Sequence, residues 1–299
     1  MGLRIEVEDL RMHDIIDKEQ AYNLLASSKD GLIFTEGPVW NAIDASFIFS
    51  DIAGNKMYRW SEEDGLKEWV NYSFKANGNA YDQTTGQFIT CEHATSRIVS
   101  RNKEGKDYTI VCSHYKDKEL NSPNDIIVKK DGTIYFTDPH FGRNPSKVGV
   151  ERKKQLDFQG IYKYAKGTLT VLDDSLTAPN GLCFNLDETK LFVNDSPEKS
   201  IWVFDMMPSG ELTNKRLWAT VTGDGLGLPD GMKIDNEGNV YCCAQGGIHV
   251  FDQNGTKLGR IVFEGQVANF TFGGKDGKTL FICAADCIYS LKGKICGVR

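Results

Sequence analysis

One unit recurs six times from residue 36 to the end of the chain: an Asn or acidic residue opens a short β-branched or aromatic run, a polar turn follows, and two further runs of the same kind come after it. First runs begin at Glu36, Asn77, Asn124, Asn180, Asp230 and Asn269. Second runs cover 47–51, 88–92, 134–138, 191–195, 240–243 and 280–284, and third runs 57–60, 97–101, 161–164, 201–205, 248–252 and 288–292. Candidate fourth runs lie at 66–70, 108–112, 169–172, 216–221 and 257–263. Unit starts are 41, 47, 56, 50 and 39 residues apart, close to the ~40–50 residues of a four-stranded propeller blade. A β-sandwich pair, or a chance recurrence of turn residues, is the competing explanation. It accounts less well for six units that exhaust the chain. The expectation is an all-β fold, a six-bladed β-propeller forming a single domain over 1–299.

The sixth unit has little chain left for an outer strand, so either 295–298 or the N-terminal 3–7 is expected to close the ring. Residues 15–28 carry apolar positions at 21, 22, 24 and 25 and predict a short helix. Residues 1–30 therefore read as a strand/helix extension to the propeller.

Apolar residues make up 40% and charged residues 25% of the chain, which excludes wholesale disorder. No apolar run approaches the ~20 residues of a membrane span, and the charged start Met1-Gly2-Leu3-Arg4 lacks a secretory core. A soluble, cytoplasmic protein without a membrane partner is expected. With 35 Lys+Arg against 41 Asp+Glu the net charge is −6, which argues against a nucleic-acid partner. The 8 cysteines fall mostly in strand-like runs and form no paired C-x-x-C pattern, so they read as buried thiols. Cys242 and Cys243 would face opposite ways on a strand.

The first strand of each blade lines the central channel, so Glu36, Asn77, Asn124, Asn180, Asp230 and Asn269 should form one ring. Two carboxylates among amides, without His or Cys, make a hard oxygen set suited to Ca2+ or Mg2+ rather than Zn2+. Asn-Gly and Asp-Gly are also ordinary turn pairs, yet Glu36 and Asn269 keep the oxygen outside such a pair. The second strands return to the same mouth, bringing Asp51, Glu92, Asp138 and Asp195, with His93 and His140 beside two of them. Each is either a site residue or a loop or blade-to-blade hydrogen bond. The insertion 141–158, with Arg143, Lys147, Arg152, Lys153 and Lys154, reads as a lid or substrate-contact loop, or as a solvated basic face.

Thr35-Glu36-Gly37-Pro38-Val39-Trp40, Asn121-Ser122-Pro123-Asn124-Asp125, Tyr135-Phe136-Thr137-Asp138-Pro139, Ala178-Pro179-Asn180-Gly181-Leu182 and Pro229-Asp230-Gly231 occur in this order. Together they resemble the senescence-marker-protein/gluconolactonase (regucalcin-like) family. Cys91-Glu92-His93 and Phe272-Gly273-Gly274 are similar to its microbial sugar-lactonase branch. The resemblance implies a propeller with one divalent metal in its channel, opening sugar-type lactones. By position Glu36, Asn180 and Asp230 resemble the metal ligands. Asn124 resembles the asparagine that completes the metal shell or contacts substrate, and Asp230 the proton acceptor/donor. Asn124, Asn77, Asp138, His93 and Asn269 are the candidate substrate contacts. Ser122 stands where the animal members carry Arg, and their substrate-binding Glu has no clear counterpart. Ca2+ is the first expectation for the metal, with Mg2+, Mn2+ or Zn2+ as alternatives. The expected partner is a small lactone, and the expected state a monomer or weak homodimer. No G-x-S-x-G elbow supports serine catalysis. A propeller phosphotriesterase and a non-enzymatic calcium-binding propeller are the rival readings.

Overall fold

The alternating runs fold as the recurrence predicts. The computed structural model describes residues 4–298, in which six antiparallel blades surround one axis. The blades span 35–70, 76–112, 126–173, 179–220, 232–262 and 267–292. Each second strand is sandwiched between neighbouring blades, so both of its faces are apolar. In Ser46–Asp51, Phe47 and Phe49 pack with Phe281 and Tyr58, while Ile48 packs the other way with Met57 and Phe88. Cys242 and Cys243 likewise enter two different clusters. All eight cysteines are free, with Cys91, Cys183, Cys242, Cys243 and Cys283 buried.

Ring closure differs from both expectations. The outer strand of the sixth blade is Asn23–Ala26, paired with Cys287–Lys292. Arg4–Val7 instead adds a fifth strand to the fifth blade, along Lys257–Val262; Leu3 lies outside the described residues. The segment 295–298 makes only a bridge from Gly297 to Asp235. The short N-terminal helix is Met12–Ile15, ending where the expected 15–28 should begin, and within that stretch Asn23–Ala26 is the closing strand. A short apolar run suits either conformation, and the unpaired edge of Cys287–Lys292 decides in favour of a strand. The seam between first and last blades is then filled by Phe281, stacked on Trp40 at 5.1 Å and on Phe47 at 5.2 Å. Among the described residues no helix is long and apolar enough to cross a membrane.

Candidate functional site

Four of the first strands do not run straight past the axis. Their registers shift between Glu36 and Val39, Ala76 and Asn79, Pro179 and Leu182, and Val267 and Asn269. Such bulges re-aim a side chain, and here they fall at or beside ring residues. The glycine that follows a ring residue serves a close approach more than a turn. A Cβ on Gly37 would sit 1.8 Å from Asn77 O, one on Gly78 2.5 Å from Asn124 O, and one on Gly181 2.0 Å from Asp230 O. Gly37 also has φ +56°, a conformation that disfavours side chains. The first, second and fourth blades thus rest on the next one's ring residue.

That contact is reinforced from the second strands. Ser50 Oγ donates to Asn77 O at 2.7 Å, Thr137 Oγ1 to Asn180 O at 2.8 Å, and Asn194 Nδ2 to Asp230 O at 2.5 Å. In each case the donor belongs to the preceding blade. The acid that follows it turns inward on its own blade. Asp51 accepts from Phe34 N, Asp138 from Asn121 N and Asp195 from Ala178 N, each 17 residues upstream. Glu92 instead binds Arg97 at 2.6 Å and Arg101 at 2.7 Å. These acids hold the loops that lead into the channel strands. Asp138 is fully buried, burial pushes its carboxyl up to about 7, and it is not among the residues lining the cavity described next. His140 binds Gln159 through Nδ1 at 2.5 Å.

A cavity of about 520 Å3 opens over the ring. Glu36, Asn77, Asn124, Asn180, Asp230 and His93 all line it, with Phe34, Ile52, Phe141, Val148 and Leu228 supplying apolar walls. Asn269 stands behind this surface. Its Nδ2 donates to Glu36 Oε2 at 3.0 Å, and its Oδ1 accepts from Phe270 N at 2.9 Å and Lys233 Nζ at 3.2 Å. It therefore steadies Glu36 and has no oxygen left for a ligand.

Glu36 is buried and Asp230 half-buried, and the two carboxyls are hydrogen-bonded to each other. Burial first, then the charge of Asp125, raises Glu36 to about 7. Burial and the neighbouring Glu36 push Asp230 well above the ordinary carboxylate range. Asn180 donates to Asp230, and its Oδ1 has no hydrogen-bond partner although it is buried. Two carboxylates forced together beside an orphaned amide oxygen are a site short of positive charge. Among the described residues no three His, Cys, Asp or Glu side chains gather, so the donor set is two acids completed by amide oxygens. That chemistry fits a hard divalent cation.

The insertion is tied down around this cavity. Buried Arg143 donates to Asn121 O at 2.6 Å, Leu120 O at 2.5 Å and Lys153 O at 2.7 Å, and pairs with Glu119 at 2.7 Å. Arg152 reaches His93 O at 2.8 Å, and Lys147 lies 4.0 Å from the centre of the Phe34 ring. The basic residues at 143 and 152 thus hold backbone, and Phe141, Asn144, Ser146, Lys147 and Val148 form a wall of the cavity. Ser122, buried, donates to Pro139 O at 2.6 Å and accepts from Gly142 N at 2.9 Å. It anchors the insertion. A larger groove of about 660 Å3, with Cys112 and His114, lies between the outer edges of the second and third blades and has no carboxylate in its lining.

The family model for the SMP-30/Gluconolactonase/LRE-like region matches residues 34–286. The chain belongs to this family. Among its relatives, a gluconolactonase of Zymomonas mobilis is 32% identical over 313 aligned positions, covering 96% of this chain and 85% of that protein. A pentonolactonase of Haloferax volcanii is 25% identical, covering 84% and 81%. Among solved structures, a gluconolactonase from Xanthomonas campestris superposes with a TM-score of 0.89 at 30% identity, covering 97% of this chain and 94% of that one.

Within the family's fold, the residues that sequence reasoning overlooked are those that hold the ring: Ser50, Thr137 and Asn194 from one blade to the next, and Lys233 beneath Asn269. The Ser-Asp, Thr-Asp and Asn-Asp pairs that close three second strands were the available signal. Lys233 left none beyond its place three residues after Asp230.

Proposed function

We propose that the protein is a lactone hydrolase that opens a sugar-type ring at the mouth of its central channel. The observation that carries this reading is the hydrogen-bonded Glu36–Asp230 carboxyl pair beside the orphaned Asn180 oxygen, at the floor of a cavity large enough for a small lactone. Relatives named gluconolactonase and pentonolactonase support the substrate class. Glu36, Asn180 and Asp230 would hold one divalent cation, with Asn124 completing the shell or meeting substrate. A relative from zebrafish named regucalcin, and the hard oxygen set, favour Ca2+ over Mg2+, Mn2+ or Zn2+.

The bound cation would polarise the lactone carbonyl and stabilise the oxyanion that develops on it. Asp230 takes the proton of the attacking water and delivers it to the ring oxygen as the C–O bond breaks. Asn180, donating to Asp230, holds that carboxylate in place, and Asn269 does the same for Glu36. The apolar wall of Phe34, Phe141, Val148 and Leu228 limits the water that reaches the reacting bond.

The test is a pH-indicator assay over a panel of lactones. Metal-stripped protein is used, then restored with Ca2+, Mg2+, Mn2+ or Zn2+, with a fluorophosphate run in parallel. Turnover of hydroxylated lactones that depends on added metal is expected. Asp230→Ala should lower it by about 10²–10⁴-fold, the usual worth of a general acid–base, with an unchanged circular dichroism spectrum. Full activity in that variant, or turnover of the fluorophosphate alone, would refute the assignment.

A further inference from the structure

His93 is a buried imidazole for which the proposed hydrolysis has no use. It is 1% exposed, and its two ring nitrogens have different partners. Nδ1 lies 2.9 Å from Val148 O, in the insertion, and Nε2 lies 3.1 Å from Asn77 Nδ2, in the ring. A carbonyl oxygen only accepts, so Nδ1 carries the hydrogen. Burial lowers the ring's pKa to about 4, which leaves Nε2 a bare acceptor at neutral pH. The Asn77 amide must then present its N–H to His93. Its Oδ1 is consequently the end without a partner, although buried, in a residue that lines the cavity.

The surroundings hold this arrangement firmly. A Cβ on Gly142 would come within 2.6 Å of the His93 ring, so the insertion packs directly on the imidazole. His93 N donates to Lys75 O at 3.1 Å, and Lys75 Nζ reaches on to Lys147 O at 2.8 Å. Phe74 and Lys75, just before the Asn77 strand, both take left-handed backbone conformations, with φ +57° and +54°. Strain of this kind persists only where neighbours over-determine it.

We propose that His93 is a positioning residue that fixes which end of the Asn77 amide faces the channel, so that Asn77 Oδ1 accepts a hydrogen bond from a hydroxyl of the bound lactone. The idea rests on the lactonase reading for its substrate half only. It makes the enzyme selective for hydroxylated over unsubstituted rings. It also gives the insertion, through the Val148 carbonyl, a part in that choice. The side chain itself does not meet the reacting atoms.

Two measurements test it. Long-range 1H–15N correlation spectra, with His93 assigned by the signals lost in His93→Asn, should show a protonated Nδ1 and an unprotonated Nε2. An Nε2–H tautomer would overturn the proposal whatever the enzyme's substrate. For kinetics, His93→Asn keeps a donor near Val148 O and removes the acceptor for Asn77, whereas His93→Gln can supply an acceptor to Asn77. His93→Asn should raise KM for glucono-δ-lactone about fivefold, the usual worth of one neutral hydrogen bond. It should leave kcat and the KM for δ-valerolactone unchanged, and His93→Gln should stay near wild type with both. Equal effects on both lactones, or equal damage from both variants, would mean a merely structural histidine and sink the proposal. A wild-type enzyme that opens neither lactone would overturn the lactonase reading instead, leaving the spectra to decide the positioning role.

Discussion

Replacing Glu36 by Gln should make the metal-free protein more stable, and more so as the pH rises. Glu36 is raised from 4.5 to about 7 by burial and by the charge of Asp125. A raised carboxyl binds its proton more tightly in the folded state, so stability is lost as the pH climbs from the unfolded value through the folded one. For these two values the loss between pH 5 and pH 8 is about 2–3 kcal/mol. Glu36 and Asp230 share the site and titrate as a pair, so the measured curve belongs to both. Glu36→Gln is nearly isosteric and keeps an oxygen for Gly37 N and Asn269 Nδ2, so it should remove about this much of the dependence and leave what burial of Asp230 causes. Urea denaturation of EDTA-treated wild type and variant at pH 5, 6, 7 and 8 measures it. Wild type should weaken steadily across the series, and the gap to the variant should widen by about 2–3 kcal/mol. Parallel curves for the two proteins would refute the claim that the channel floor is short of positive charge.

Gly181→Ala should cost about 3 kcal/mol by overpacking, since its Cβ would lie 2.0 Å from Asp230 O. Gly265, with nothing within 4 Å of the added carbon, should tolerate the same change without loss, and thermal melts of both check the comparison. Arg143→Met should strand the carbonyls of Leu120, Asn121 and Lys153 and leave Glu119 unpaired, costing about 3–5 kcal/mol. Limited proteolysis should then cut first within 144–154, where wild type resists.

The blades were legible because alternation and turns recur six times, and such a pattern survives local ambiguity. Glu36, Asn77, Asn124, Asn180 and Asp230 could be brought to one channel by counting alone. What could not be counted was orientation. Asn269 looks like any other ring amide in the sequence, yet its oxygen is spent on Phe270 and Lys233. Asp138 sits where a mouth residue should and instead holds Asn121 N, because a buried carboxylate takes the nearest backbone donors that loop closure offers. The closing strand at Asn23–Ala26 was missed for a related reason. Its partner lies more than 260 residues away, at Cys287–Lys292, and nothing local prefers strand over helix. The insertion's basic residues read in sequence as a substrate-contact loop or a solvated face, and only their surroundings separate them: Arg143 and Arg152 hold backbone carbonyls, whereas Lys153 and Lys154 are exposed.

The proposed hydrolysis depends on one ion at one place. A crystal grown from EDTA-treated protein, soaked in Mn2+ and measured at the manganese edge, tests this most directly. A single anomalous peak is expected on the channel axis, bounded by oxygens of Glu36, Asn180 and Asp230. A channel without a peak, or manganese held elsewhere by other residues, would contradict it.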